Sequence, residues 1–267
     1  MDLRFLSFQL PLTGGTHGRT RKTMTIKTMT GRVPADRLRD QPGQIDAGLI
    51  ERLRRLDDLS SLVSDVLDEF GLEGTVAASA LKGTLDATVI GTAVTLRNVP
   101  QNVSAHINVT RRDWKMAEIE GINQAGPGQV LVIQGLPGVS NMGGLMASIA
   151  KHQGLAAAIV DGGVRDIGHS RSIAFPVWSR DVTPLTGKWR CTTVEVNGAI
   201  QIQGCQVEAG DLVVADETGI CFVPRAWVEK VVARCEEIAA YEARIARLTE
   251  CGGSTMQDFL DALYRKA

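Results

Sequence analysis

Two apolar runs, "VLVIQG" at 130–135 and "LAAAIVDGG" at 155–163, bracket a stretch whose apolar residues Met142, Leu145, Met146, Ile149 and Ala150 recur at helical spacing. A strand, a helix and a second strand within residues 128–162 fill about the length of one crossover unit, which argues for a mixed α/β layer. Asn141 is expected to cap the helix and Gly154 to end it. The turn Gly126-Pro127-Gly128 separates this unit from a helix upstream.

The flanking segments build around that unit. "QIDAGLIERLRRLDDLSSLVSDVLDEFGLEG" holds two helical patterns, the second opened by Ser60 or Ser61 and closed by Gly71, and "VIGTAVTLRNVP" reads as a strand. Downstream, "FPVWSRDVTP", "CTTVEVNG", "AIQIQGCQV" and "DLVVADETGICFVP" are short strands punctuated by Gly, Pro and Asn, which favours a compact β layer or barrel over repeated crossovers. Helices are expected from Arg225 or Ala226 to about Thr249 and from Ser254 or Thr255 to Tyr264. Residues 1–45 read as an N-terminal extension, partly flexible, because the first thirty carry no sustained period.

Charge and cysteine usage exclude several classes. With 29 Lys and Arg against 30 Asp and Glu, the formal charge of −1 provides no global field for nucleic acid. No apolar run is long enough to span a bilayer and the N-terminus lacks a signal-peptide core, so the expected location is the cytoplasm, with no membrane partner. Cys191, Cys205, Cys221, Cys235 and Cys251 are odd in number and without CxxC spacing, which argues against a disulfide scaffold or a closed zinc site. His106, His152 and His169 are too dispersed for a metal triad, and the tryptophans read as core or interface anchors.

The stretch with most chemistry is "VDGGVRD", 160–166, at the end of a buried strand, where α/β sheets place their ligands. Gly162 and Gly163 would allow a tight turn and the close approach of a small ligand. Arg165 offers a planar fork for a carboxylate, and Asp166 offers hard oxygens for a divalent cation. A local salt bridge between the two is the competing explanation. Gly143 and Gly144 at the start of the preceding helix admit two reasons: close packing of the helix start on a strand, or a carboxylate cradle facing the Arg165 turn, formed by the N–H groups of Gly143, Gly144 and Leu145.

Together, "VSDVLDEFG" (63–71), "GTAVTLRNVP" (91–100), "PGQVLVIQG" (127–135), "GGLMASIAKHQGLAAAIVDGGVRD" (143–166), "FPVWSRDVTP" (175–184) and "VEAGDLVVADETGICFVP" (207–224) resemble the RraA-like family over roughly residues 46–255. That family includes 4-hydroxy-4-methyl-2-oxoglutarate and 4-carboxy-4-hydroxy-2-oxoadipate aldolases and the regulator of ribonuclease activity A. The resemblance implies an α-β-β-α sandwich of the swivelling type, with residues 46–224 as the catalytic domain. It also implies a homotrimer or homohexamer with active sites at subunit junctions, the helices of 225–267 lying at an interface.

For activity, the resemblance implies a class II aldolase or lyase using Mg²⁺ or Mn²⁺. Asp166 would anchor the metal, Arg165 would bind the pyruvyl part of the substrate, and backbone amides around Gly144, Leu145 and Met146 would hold its carboxylate. Aldol cleavage and oxaloacetate decarboxylation both produce the enolate of pyruvate, whose charge a cation stabilises. A glutamate from the C-terminal helices of an adjacent subunit is implied as proton carrier, with Glu242 the better match and Glu237 the second. A solvated helix surface explains either equally simply. Asp65 matches a family-typical position, and Lys188 and Arg190 could add positive charge for a dianionic substrate. Gln134 and "LPGVSNMGG" depart from the family pattern, so substrate identity is less constrained than enolate chemistry. Two alternatives stand beside the aldolase: a non-catalytic ribonuclease-binding regulator, and a metal-dependent decarboxylase, hydratase or isomerase of another sugar-acid derivative.

Overall fold

The structure, a computed structural model, describes residues 29–250 and 253–264. The expectations for residues 1–28 and for Cys251 lie outside these. In chain order the elements are α1 (Ala47–Leu53), α2 (Leu59–Glu69), β1 (Thr75–Ala77), β2 (Lys82–Gly83), β3 (Val89–Pro100), α3 (Ala105–Arg111), α4 (Glu118–Gln124) and β4 (Val130–Gln134). They continue through β5 (Ser140–Met142), α5 (Gly144–His152), β6 (Ala157–Val164), α6 (Ile167–Ser172), β7 (Val177–Val182) and β8 (Cys191–Val196). The chain then runs through β9 (Ile200–Ile202), β10 (Cys205–Val207), β11 (Leu212–Ala215), β12 (Gly219–Val223), α7 (Val228–Glu250) and α8 (Met256–Tyr264).

The main sheet has the order β1-β12-β11-β3-β4-β6-β7-β2, with β5 on β6 and β8 on β3. Its centre, β3-β4-β6-β7, is parallel, as the crossover through α5 requires. β11, β12 and β1 extend it antiparallel. β3 joins the two parts: residues 89–92 pair with β11, while residues 93–97 pair with β4.

Alternation along the strands explains the layering. On β4 and β6, Leu131, Ile133, Ala158 and Val160 point to one core with α4, α5 and α6 residues such as Ile122, Ala147 and Ala150. The intervening Val130, Val132, Ala157 and Ile159 point to a second core, where they meet Val213, Ala215, Ile220 and Phe222 from β11 and β12. The opposite faces of those two strands, through Leu212, Val214, Cys221 and Val223, pack on Leu53, Leu62, Val66, Val231 and Val232 of α1, α2 and α7. Strands buried on both faces carry apolar residues at every position, so "VLVI" and "LVVA" show no polar alternation. The layers therefore run helix, sheet, sheet, helix, a mixed α/β sandwich.

Three local expectations are corrected. α2 starts at Leu59, after Asp58 in a left-handed conformation, rather than at a serine cap. The cap comes from elsewhere in the chain: the Asp216 carboxylate accepts the Ser60 N–H at 2.9 Å and its hydroxyl at 2.7 Å. Asn141 does not cap α5 but is fully buried in β5. Its amide donates to Leu136 O and Val139 O, both at 2.9 Å, while its oxygen accepts from Leu136 N at 3.1 Å and Asn98 Nδ2 at 3.2 Å. Together with the Gly163 N–H, which donates to Leu136 O at 3.2 Å, it satisfies the polar groups of the 135–139 loop. Finally, Gly162 and Gly163 lie within β6, not in a turn. A Cβ on Gly162 would sit 2.8 Å from Leu136 N, and one on Gly163 would sit 2.5 Å from Val139 O, so the approach they permit is that of the 135–139 loop.

Candidate functional site

β6 ends at Val164, and the next two residues turn outward beside the start of α5. Asp166 adopts φ 58°, ψ 34°, a left-handed conformation that costs a side-chain-bearing residue about 1–2 kcal/mol. Its backbone carbonyl accepts from His169 N at 2.9 Å and Ser170 N at 3.2 Å, opening α6. Its side chain turns back instead: Oδ2 accepts the Gly144 N–H at 3.0 Å and lies 3.4 Å from Arg165 Nε. Arg165 and Asp166 are 42% and 49% exposed, so the pair is not a closed internal bridge and both groups remain open to a ligand.

The glycine pair is explained by this turn. A Cβ at 143 would stand 3.0 Å from Arg165 Nε and 3.1 Å from Asp166 Oδ2; at 144 it would stand 3.0 Å from His169 Cδ2 and 3.1 Å from Asp166 Cβ. Close packing is therefore real, but its partner is the Arg165–Asp166 turn and His169 rather than a strand. His169 itself bonds Ser148 at 2.7 Å, tying α6 to α5. The helix start leaves the N–H groups of Leu145 and Met146 without intrahelical acceptors, on the same side as Asp166.

These residues line a cavity of about 320 Å³. Gly143, Leu145, Met146, Arg165 and Asp166 form one wall; Arg32, Trp114, Glu118 and Lys188 contribute to the rest. Burial raises the Glu118 carboxyl to about 7, against the opposing pull of the positive charges of Arg165 and Lys188. Arg32 Cζ lies 4.1 Å from the centre of the Trp114 ring and Lys188 Nζ 4.5 Å from it, so this tryptophan is a cation-bearing pocket wall rather than a core anchor.

Sequence reasoning missed Arg32, Trp114 and Glu118. No local signal separates Glu118 from Glu120: both are acids in the first turn of α4, where acids are favoured anyway. Arg32 lies in the segment taken as an extension.

Other candidates fall away from the cavity within the chain. Glu242 is exposed on α7, and Asp65 is exposed on α2; both belong to the opposite helical layer. Glu237 pairs with Arg234 at 2.8 Å, and Arg190 Nη1 donates to Thr186 O at 3.0 Å. Gln134 Oε1 accepts from Gln201 N at 3.1 Å, away from the α5 start. Cys191, Cys205, Cys221 and Cys235 are buried thiols raised above their ordinary value by desolvation. Among the described residues, no group of three or more His, Cys, Asp or Glu side chains could hold a metal ion.

A family model, RraA-like (Aldolase/RraA), matches residues 60–222. A protein of Halalkalibacterium halodurans described as a putative 4-hydroxy-4-methyl-2-oxoglutarate aldolase is 29% identical over 124 residues, 46% of this chain and 59% of its own length. The chain thus spans less than two thirds of that curated relative. A Streptomyces coelicolor structure, RraAS2, described as an unusual member of the RNase ES inhibitor RraA protein family, superposes with a TM-score of 0.65 at 25% identity. That match covers 76% of this chain and 98% of RraAS2. An uncharacterized protein from Pseudomonas syringae pv. tomato superposes with a TM-score of 0.67 at 24% identity, over 81% of this chain and 94% of its own, and is a likeness of fold.

Proposed function

The chain belongs to the RraA-like family, and from that premise we propose a divalent-metal-dependent class II aldolase or lyase that cleaves a 4-hydroxy-2-oxo dicarboxylic or tricarboxylic acid through a pyruvate enolate. The observation that carries the reading is the half-exposed Arg165–Asp166 pair set against the start of α5 in one cavity. Oxaloacetate decarboxylation would use the same enolate-forming site.

The residues fit a water-rich cation site rather than a protein cage. Asp166 Oδ2 is engaged by Gly144 and Arg165, while Oδ1 has no hydrogen bond among the described residues. A single carboxylate completed by waters and substrate oxygens suits Mg²⁺ or Mn²⁺, which retain much of their hydration shell. Held there, such an ion supplies Lewis-acid polarisation of the 2-oxo group. Arg165 would orient the adjacent carboxylate through its fork, and the Leu145 and Met146 N–H groups would share that charge at the positive end of α5.

Proton transfer has two candidate carriers. Glu118, with a proton affinity near neutrality, is in the cavity of its own chain. Glu242 would require a neighbouring subunit. A homotrimer or homohexamer is accordingly part of the proposal, as is the division into an extension, a catalytic unit of 46–224 and interface helices beyond it. In support, Met256, Leu260, Leu263 and Tyr264 of α8 are exposed in the single chain. No helix among the described residues is long and apolar enough to cross a membrane. The likeness to RraAS2, a member of an RNase ES inhibitor family, supports a second reading, a protein-binding regulator whose complex would be insensitive to chelator.

Pyruvate release from 4-hydroxy-4-methyl-2-oxoglutarate, 4-carboxy-4-hydroxy-2-oxoadipate and oxaloacetate, each with Mg²⁺, Mn²⁺ or chelator, tests the proposal. Metal-dependent release that disappears in folded Asp166→Ala is expected. Equal release by that variant, or none by the wild type, would overturn the assignment.

A further inference from the structure

The cavity contains more positive charge than the handling of one carboxylate requires. Arg165 is matched by Asp166, whereas Arg32 and Lys188 rest on aromatic faces: Arg32 on Trp114, and Lys188 on Trp114 and on Trp189 at 4.8 Å. An aromatic face orients a cation without neutralising it. The remaining carboxyl in the lining is Glu118, whose proton affinity lies near neutrality.

Arg32 belongs to a segment that precedes the family match, which begins at residue 60. That segment is fastened along α4. Met29 Sδ accepts from Gln124 Nε2 at 3.4 Å, and both the backbone N–H and the hydroxyl of Thr30 donate to Glu120 Oε1, the former at 2.7 Å. Val33 is buried in the core under α4 and α5, and Arg32 Nη1 donates to Trp114 O at 3.0 Å. One guanidinium edge is thus fixed by the backbone and its face by the ring, which leaves the rest of the fork to a ligand.

We propose that Arg32, assisted by Lys188, is a specificity-determining residue that binds the carboxylate of the substrate remote from its 2-oxo acid end. This rests on the assignment of Arg165 and Asp166 to the 2-oxo acid. It makes the segment before α1 part of the substrate pocket, in a place where the family match gives no guidance. A short chain of carbons bridges the two ends, and Trp114 and Met146 offer that chain apolar surface.

Two five-carbon probes with the same 2-oxo acid end, 2-oxoglutarate and 2-oxovalerate, separate the remote carboxylate from everything else. Binding is measured calorimetrically with Mg²⁺ present, on wild type, Arg32→Gln and Arg32→Lys, with thermal unfolding as the control for folding. A charge-assisted contact predicts that wild type prefers 2-oxoglutarate by about tenfold, that Arg32→Gln reduces the preference to about twofold, and that Arg32→Lys restores part of it. Affinity for 2-oxovalerate should be the same in all three, a result that a merely structural arginine would not give. Equal binding of both probes by wild type, or a full preference retained in a folded Arg32→Gln, overturns the subsite and leaves the 2-oxo acid site standing. Binding of neither probe overturns both.

Discussion

Glu118→Gln reports on the electrostatics of the cavity through stability alone. The side chain is half-buried in the pocket wall, and burial raises its carboxyl from an ordinary 4.5 to about 7. In the unfolded chain the group loses its proton near its ordinary value; in the folded chain it holds that proton to near neutrality. The wild-type protein therefore has its full stability from this group at acid pH and loses some of it as pH rises from about 4.5 through about 7. An upper bound on the loss is about 3 kcal/mol, and partial exposure reduces it to roughly 1–2 kcal/mol. The neutral amide removes this dependence, so chelator-treated Glu118→Gln should be more stable than wild type at pH 8 by about 1–2 kcal/mol, or roughly 2–8 °C. At pH 4.5 the two should differ little. Denaturant unfolding across pH 4.5–8.5, at fixed protein concentration, measures the difference. A constant gap at all pH values, or a variant that loses stability relative to wild type as pH rises, would refute the reasoning.

Asn141→Ala removes the amide that satisfies the Leu136 N–H and the Val139 carbonyl, so it should destabilise the protein by about 3 kcal/mol, seen as a fall in melting temperature of roughly 6–12 °C. A shift below about 1 kcal/mol would mean that water replaces the amide. Gly143→Ala places its new methyl against the movable tips of Arg165 and Asp166, with an ordinary backbone φ of −132°, so stability should change by less than about 1 kcal/mol while 2-oxo acid affinity falls about tenfold. Thermal unfolding beside ligand titration checks both; unchanged affinity would place the ligand elsewhere.

The central crossover was legible in the sequence because β4 and β6 are buried on both faces and α5 is not, a contrast that periodicity records directly. Arg165 and Asp166 were legible for a different reason: two opposite charges closing an apolar run are hard to accommodate except at an exposed turn. Capping was not legible. Asp216 caps α2 from 156 residues away, and no window around Ser60 contains that information. The other side of the cavity was hidden in the same way, since Arg32 and Trp114 meet through an 82-residue separation. The GG pair signalled a steric need correctly, but only the fold shows that the crowding comes from the Arg165–Asp166 turn and His169.

Mn²⁺ titration followed by electron paramagnetic resonance, on wild type and on Asp166→Ala, tests most directly whether a cation and a 2-oxo acid meet at this turn. Wild type should take up about one Mn²⁺ per chain at a hydrated site, with a spectrum that changes when pyruvate is added. Asp166→Ala, shown by thermal unfolding to be folded at the temperature of the titration, should show neither effect. The same Mn²⁺ uptake and the same response to pyruvate in both proteins would contradict the assignment of Asp166.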